Sequence, residues 1–424
     1  MITGSLLGLW SVLYAANPDG SARPLAMVLP QQVAAFAADL SSDARATRTQ
    51  AEAGLIALGP AALEHLPHAD SARDPQTRDS LRRIARTLEA ADAAIALESQ
   101  TVYVAEQSTR RKWIDALASQ TGNQFRLDQV PPRWLDAGTR PPGVDPISFW
   151  EVIRWLEADQ QVTATIGREA KLLPRASQQP SAKVLAEQHR GVFRLQCLEC
   201  QSRPLPRGGH LIRIRVGVCG EPRLRPLFLV SGVDQWKVVA KQEVCAPYTP
   251  GARRELPGGT GTIEVSWDFV IPAGTPVPDA VTIDGELALT LATRTSRIDF
   301  RDLQGPFPIT RRRGQSSVSV LGVTSDVAHS NIRLAVALGG RDGLFESYRA
   351  ALMTPDLKLE PTPGNILAPV DINQIQEAPE GVVLECHFPA EIPAGASLQA
   401  QVPTVIATEK IAFWFEQVPV TPAP

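Results

Sequence analysis

From residue 210 to residue 218 the chain reads HLIRIRVGV, and its apolar and charged side chains alternate without a break. Ile212, Ile214, Val216 and Val218 fall on one side, Arg213 and Arg215 on the other. A period of two belongs to a strand with one buried face and one wet face; a helix would scatter these residues around its axis. The segments that follow behave alike: RPLFLV, QWKVVA, GTIEVSWDFVI, ELALTL and RIDF, with Gly and Pro turns between them. Short strands at this spacing predict an antiparallel β-sandwich over residues 190–304. After GPFPITRRRGQ come SVSVLGV, NIRLAVAL, YRAALM, GVVLECHF and KIAFWFEQV, which predict another over residues 315–420. The two runs share an echo, VIPAG after SWDF and EIPAG after ECHF, and each closes on a similar strand, RIDFRDL and KIAFWFEQV. We therefore expect two tandem sandwiches of one lineage.

Residues 30–97 carry a different period. Arg48, Ala51, Leu55 and Leu58 recur at spacings of three and four, and Gly59-Pro60 ends one helix and opens the next. Leu63 and Leu66 start the second stripe. Asp74-Pro75 opens a third helix with Leu81, Ile84 and Leu88 on one face. The segment resembles a HEAT-type repeat, about one and a half units of it, too few to bury a continuous core alone. The expectation is a short helical cap, with a docking surface as the alternative.

Residues 100–176 read strand, helix, strand, Pro-rich loop, helix, strand. Trp113, Ile114 and Leu117 form one helical stripe; Phe149, Val152, Ile153 and Leu156 form the other. ALASQTGNQFRLD and FWEVIRWLEADQQVTATI, in that order, resemble the short N-terminal domain of secretins and TonB-dependent receptors. The loop 129–145 departs from that family, because no strand is evident in it. The resemblance implies a periplasmic, partner-binding module and no active site. Trp150 and Trp155 flank the second stripe. They are the candidate partner surface, or else they pack on a neighbouring domain.

The fold class expected is thus multidomain α+β: a HEAT-like cap (30–97), a small α/β module (100–176) and two tandem antiparallel β-sandwiches. At 424 residues the chain exceeds what one core serves. A net charge of −3 argues against a nucleic-acid surface over the whole molecule. Lysine supplies seven of the 42 basic residues, so isolated Arg clusters reflect coding bias more than function. LLGLWSVLY (6–14), followed by Ala15-Ala16, has the length of an export signal but no positive charge before it. We expect a signal over residues 1–22 and a periplasmic or secreted protein, the alternative being a short buried helix or strand. No apolar run is long enough for a spanning helix.

Candidate chemistry is sparse. Cys197 and Cys200 form a Cys-x-x-Cys with Cys219 and Cys245 beyond it. The second pair lacks the spacing of a zinc hairpin, and no helix start activates a thiol. In a strand, an offset of three puts Cys197 and Cys200 on opposite faces. The reading is structural cysteines, disulfide-bonded if exported, with Cys386 left over. His65 and His68 share a helix face but have no third ligand. Arg311-Arg312-Arg313 could contact an anion or lipid, or form a solvated linker. GGTGT is a turn and not a phosphate loop, since no helix follows. P-loop, dinucleotide, nucleophile-elbow and zincin motifs are absent.

These features point to a non-enzymatic cell-envelope binding or scaffold protein, without cofactor or metal, meeting a protein partner. A second possibility is a β-sandwich hydrolase or lyase acting on a glycan, with Trp267, Asp268 and Trp236 in a groove. A third is an accessory of a secretin-type machine.

Overall fold

The computed structural model describes residues 28–104, 108–138, 147–158, 161–175, 184–206, 208–259, 261–301, 303–314, 316–338, 356–378 and 381–423. The expected export segment and the strand YRAALM (348–353) lie outside the described residues. The chain is α+β and mostly β, with several antiparallel sheets. It forms two compact units, residues 1–89 and 90–424.

The first unit holds α1 (Val28–Asp39), α2 (Arg45–Ala57) and most of α3 (Pro75–Leu97). Val33, Leu40, Leu55, Leu81, Ile84 and Leu88 bury together, so the stripes of α2 and α3 fall as the spacing requires. Asp74 caps α3: its Oδ2 accepts from the Thr77 amide at 2.7 Å and from the Thr77 hydroxyl at 2.8 Å. Those bonds hold the Asp74 carboxyl below its ordinary range. The helix expected to open at Gly59-Pro60 is a 3₁₀ helix, Pro60–Glu64, entered through Gly59 at φ +74°. Its five residues cannot complete the paired-helix unit of the expected repeat.

In the second unit, β1 (Thr101–Val102), α4 (Arg110–Thr121), β2 (Phe125–Arg126), α5 (Pro132–Leu135), β3 (Ile147–Ser148), α6 (Phe149–Ala158), β4 (Val162–Ile166) and β5 (Ala170–Pro174) build the small module. Two strand–helix–strand halves are present, β1–α4–β2 and β3–α6–β4. The Thr109 hydroxyl caps α4, and Gly122 ends it at φ +72°.

The β half follows: β6 (Ala186–Arg190), β7 (Phe193–Pro204), β8 (His210–Gly220), β9 (Arg225–Gly232), β10 (Trp236–Ala240), β11 (Glu243–Pro247), β12 (Arg253–Pro257), β13 (Ile263–Ile271) and β14 (Ala280–Phe300). Then come β15 (Ile309–Arg313), β16 (Ser316–Ser325), β17 (Ser330–Leu338), β18 (Asp356–Glu360), β19 (Asp371–Ala378), β20 (Gly381–Phe388), β21 (Ser397–Pro419) and β22 (Thr421–Pro422). β11 bonds to β10 at one end and to β13 at the other, carrying the sheet around a corner. A separate five-stranded sheet runs β15-β16-β17-β20-β19.

β14 and β21 are the spine. They pair antiparallel from Ala280↔Pro419 to Phe300↔Leu398. Because they run in opposite directions, each gives its first half to one core and its second half to the other. Ile283, Leu287 and Leu291 of β14 bury with Ile411, Phe413 and Phe415 of β21 in the first core. Ile298 and Phe300 bury with Leu398, Ala400 and Val402 in the second core, beside Val318 and Leu384.

The expected boundary between residues 304 and 315 falls between two cores, each of which takes a strand end from the other half of the chain. Register shifts between Ala292, Arg294 and Thr295 mark the crossing. Bulges bend a strand in this way. The polar crossing is bonded internally, Thr290 to Thr408 at 2.8 Å and Gln401 to Thr295 at 3.0 Å. There Arg294 also grips Asp92 of α3 at 2.6 Å.

The echoed turns hand over to these spine strands. Thr275 N bonds Pro272 O at 3.2 Å and Ala396 N bonds Pro393 O at 3.1 Å. Gly274 and Gly395 take φ +85° and +88°.

Candidate functional site

The apolar stripe of α6 packs in the module's own core, and its Trp150 flank is where the module meets the β half. Trp150 is 1% exposed. Its ring stacks on His189 of β6 at 5.7 Å and lies under the Arg194 guanidinium of β7 at 5.0 Å. Trp150 is therefore interior and cannot serve as a partner surface: the expected flank of the stripe is covered by β6 and β7. Trp155 is half-buried, edge-on to Trp113 at 6.3 Å.

Around this contact, Arg154 Nη2 lies 2.7 Å from His189 Nδ1. A guanidinium only donates, so Nδ1 accepts. His189 Nε2 is 3.1 Å from Glu187 Oε1, and Gln196 Nε2 donates to Glu187 Oε2 at 2.6 Å. Burial alone would raise the Glu187 pKa, but the His189 ring beside it, the Gln196 bond and the Arg194 charge outweigh it and hold the group at about 2.

A depressed carboxyl contributes stability that is complete above its unfolded value of 4.5 and disappears as pH falls toward 2. Thermal midpoints measured from pH 5 to pH 2 should fall for the native chain. The Glu187→Gln variant should start lower and converge with it in acid.

A second contact is polar and deeply buried. Asn123 follows the αL cap of α4, and Glu221 follows β8; each is 1% exposed. Glu221 Oε2 accepts from Asn123 Nδ2 at 2.9 Å and from Arg223 Nε at 2.8 Å. Asn123 Oδ1 accepts from the Arg223 amide at 3.0 Å, and Arg223 Nη2 donates to the Glu98 carbonyl at 3.0 Å. Both bonds reach Oε2, while Glu221 Oε1 is buried without a hydrogen-bond partner, so the carboxylate is held through one oxygen. Cys219, two residues before Glu221, packs into the module's own core. No sequence signal announced this network, because Asn123 and Glu221 stand 98 residues apart.

The five cysteines are all buried and unpaired, so no expected disulfide is present. Cys197 and Cys200 do not lie on opposite faces. A register shift between Cys197 and Glu199 inserts Leu198 as an extra residue, and both thiols then point into the first core. Burial pushes Cys197, Cys200 and Cys386 up to about 12 and Cys219 to about 11. Cys245 is also raised by burial. Thiols held neutral are poor nucleophiles and ligands. A thiol-specific disulfide reagent should therefore label none of the five in the native protein at pH 8 within minutes, and all five after unfolding.

Of the residues of the glycan-enzyme reading, the structure brings Trp236 and Trp267 together and turns Asp268 away from them. Trp236 and Trp267 are both 5% exposed and donate to one acceptor, Ser231 Oγ, at 3.1 and 3.0 Å. Asp268 points to the opposite face of β13, where Arg213 holds it at 2.8 and 2.9 Å. Glu264, on that same wet face, pairs with Arg215 at 3.1 Å. These carboxylates serve a cross-strand ladder of ion pairs.

A cleft of about 240 Å³ opens by the GGTGT turn, lined by Leu256, Pro257, Gly259, Gly261, Thr262 and Glu264. Its one carboxylate is the Glu264 already engaged with Arg215. His65 and His68 are exposed and follow the 3₁₀ turn, so they do not share a helix face. Arg311, Arg312 and Arg313 form part of a strand, β15, and not a linker. Among the described residues, no group of three or more His, Cys, Asp or Glu side chains is arranged to hold a metal.

No family model matches the chain. No curated protein matches it significantly. A crystal structure of a conserved domain protein from Bacillus anthracis aligns at 7% identity over 56% of this chain and 91% of its own, with a TM-score of 0.17. A score that low carries no inference about fold or function.

Proposed function

We propose that this protein is a non-enzymatic, multidomain scaffold of the cell envelope, in which two interlocked β-sandwiches of one lineage carry a short helical segment and a small α/β module. One observation supports this reading above the others. Buried Glu221 and Trp150, with partly buried Arg223 and His189, are engaged in joining the α/β module to the β half. Groups spent on a joint are not free for substrate. Among the described residues, no helix is long and apolar enough to cross a membrane. The envelope assignment rests on the N-terminal apolar run, because the unpaired thiols give it no support.

A second reading, an accessory of a secretin-type machine, is favoured by the two strand–helix–strand halves of the module in their expected order. In-cell crosslinking of the tagged protein in its host, followed by mass spectrometry, tests both. Envelope proteins among the partners support the scaffold; secretin-type components support the accessory reading. Cytoplasmic partners alone would overturn the compartment.

A further inference from the structure

We propose that the wet face of β10, β14 and β21 binds a neutral β-1,4-linked glycan, with the Trp414 indole as the platform on which one sugar ring stacks. This goes beyond the scaffold reading, whose partner is a protein. Trp414 is 53% exposed, whereas Trp113, Trp134, Trp150, Trp236 and Trp267 are each no more than 5% exposed. A single exposed apolar side chain is ordinary on a protein surface. What sets this one apart is its setting.

The platform is fixed before any ligand arrives. Phe413 and Phe415, on either side of Trp414 in β21, are anchored in the first core. The Trp414 amide donates to Gln188 Oε1 of β6 at 3.0 Å, so it points away from β14. Asp284↔Trp414 is therefore a non-hydrogen-bonded pair, the kind in which facing side chains lie closer. Beyond Asp284, in register, stands Lys237 of β10. Neighbouring strands lie about 5 Å apart, so the row Trp414, Asp284, Lys237 sets an aromatic face, an acceptor and a donor at one-strand steps. Asp284 and Lys237 are exposed, and among the described residues neither side chain is engaged in an ion pair or hydrogen bond.

The chemistry of the row selects the occupant. A pyranose ring offers a C–H face to the indole and a rim of hydroxyls that both donate and accept; Asp284 accepts and Lys237 donates. Nearby, Glu286 and Lys410 pair with each other at 3.3 Å. Both signs of charge are present and cations are not in excess, so the face does not attract an acidic polymer or an anionic lipid head group. A protein partner would seat its aromatic anchor in a patch whose centre is depleted of charge, whereas here a carboxylate stands directly opposite the ring. A β-1,4-linked chain is an extended ribbon and lies flat on a sheet that has no groove.

The test titrates the full chain with cellohexaose and with chitohexaose by isothermal calorimetry. At least one should bind. Trp414→Ala should weaken that binding about tenfold with native circular dichroism retained, and Trp414→Tyr, which keeps an aromatic face, should retain most of it. Bound oligosaccharide should also lower acrylamide quenching of tryptophan emission in the native chain but not in Trp414→Ala.

No binding of either oligosaccharide, or binding that survives intact in Trp414→Ala, would overturn the proposal. So would tighter binding of an oligogalacturonate than of either neutral chain. Without oligosaccharide binding, self-association lost in Trp414→Ala would assign the face to a second copy, and Trp414-dependent binding to phosphatidylcholine vesicles would assign it to lipid; each overturns the glycan. The protein partner is read by crosslinking and the glycan by calorimetry, so the failure of one reading leaves the other standing.

Discussion

A chain ending at Glu409 should fail to fold its first β core, although most of that core lies more than 100 residues earlier. The deletion removes Ile411, Phe413, Phe415 and Val418, each no more than 3% exposed, from the sheet opposite β7, β8 and β13. At roughly 1.5–3 kcal/mol for each buried side chain, the loss is about 6–12 kcal/mol, comparable to the whole stability of an ordinary domain. Phe413 meets Trp236 edge-on at 4.9 Å, so tryptophan emission reports the change. The truncated chain should emit as an unfolded protein or aggregate. Unshifted emission with native circular dichroism would mean that the first core closes without β21.

The second large effect is at the joint. Glu221→Ala strips the carboxylate from Arg223, whose side chain is 11% exposed, and leaves a buried charge without its partner. Removing one member of such a pair costs about 3–5 kcal/mol. Arg223→Met should cost a similar amount by stranding Glu221. Replacing both by apolar residues of similar volume, Glu221→Leu with Arg223→Met, should cost much less than the two single changes added together. Urea unfolding of the four chains measures the cycle. Strictly additive losses would show that the pair is not coupled and that the joint is held by packing alone.

Local periodicity carried much of this architecture. The alternation around Ile214 and the stripes through Ile84 and Val152 place buried side chains where they lie, and Thr109 and Gly122 bound α4 as their chemistry requires. What escaped were features whose signal is interruption or distance. ATRTS, residues 292–296, reads as a loop between ELALTL and RIDF, because a strand passing from one core to another must be polar where it is in neither. Such a reading cuts one strand into two and assigns each piece to a single core.

The same limit applies to the site. A one-residue bulge reverses facing parity, so Leu198 sent Cys197 and Cys200 to one side against the rule of two. Trp150 sits at the flank of its stripe. Whether a flank is wet or covered depends on β6 and β7, some 40 residues on. Asn123 and Glu221 meet only after the module has docked.

Crossed between the two cores, β14 and β21 should make residues 90–424 unfold as one cooperative body. Native-state hydrogen exchange in rising denaturant tests it most directly, by following peptides from 281–291 and 411–418 against peptides from 318–336 and 382–388. Both sets should converge on a single opening free energy. If the second core opened in sub-denaturing urea while residues 281–291 and 411–418 stayed protected, the two cores would be independent and the shared spine would be contradicted.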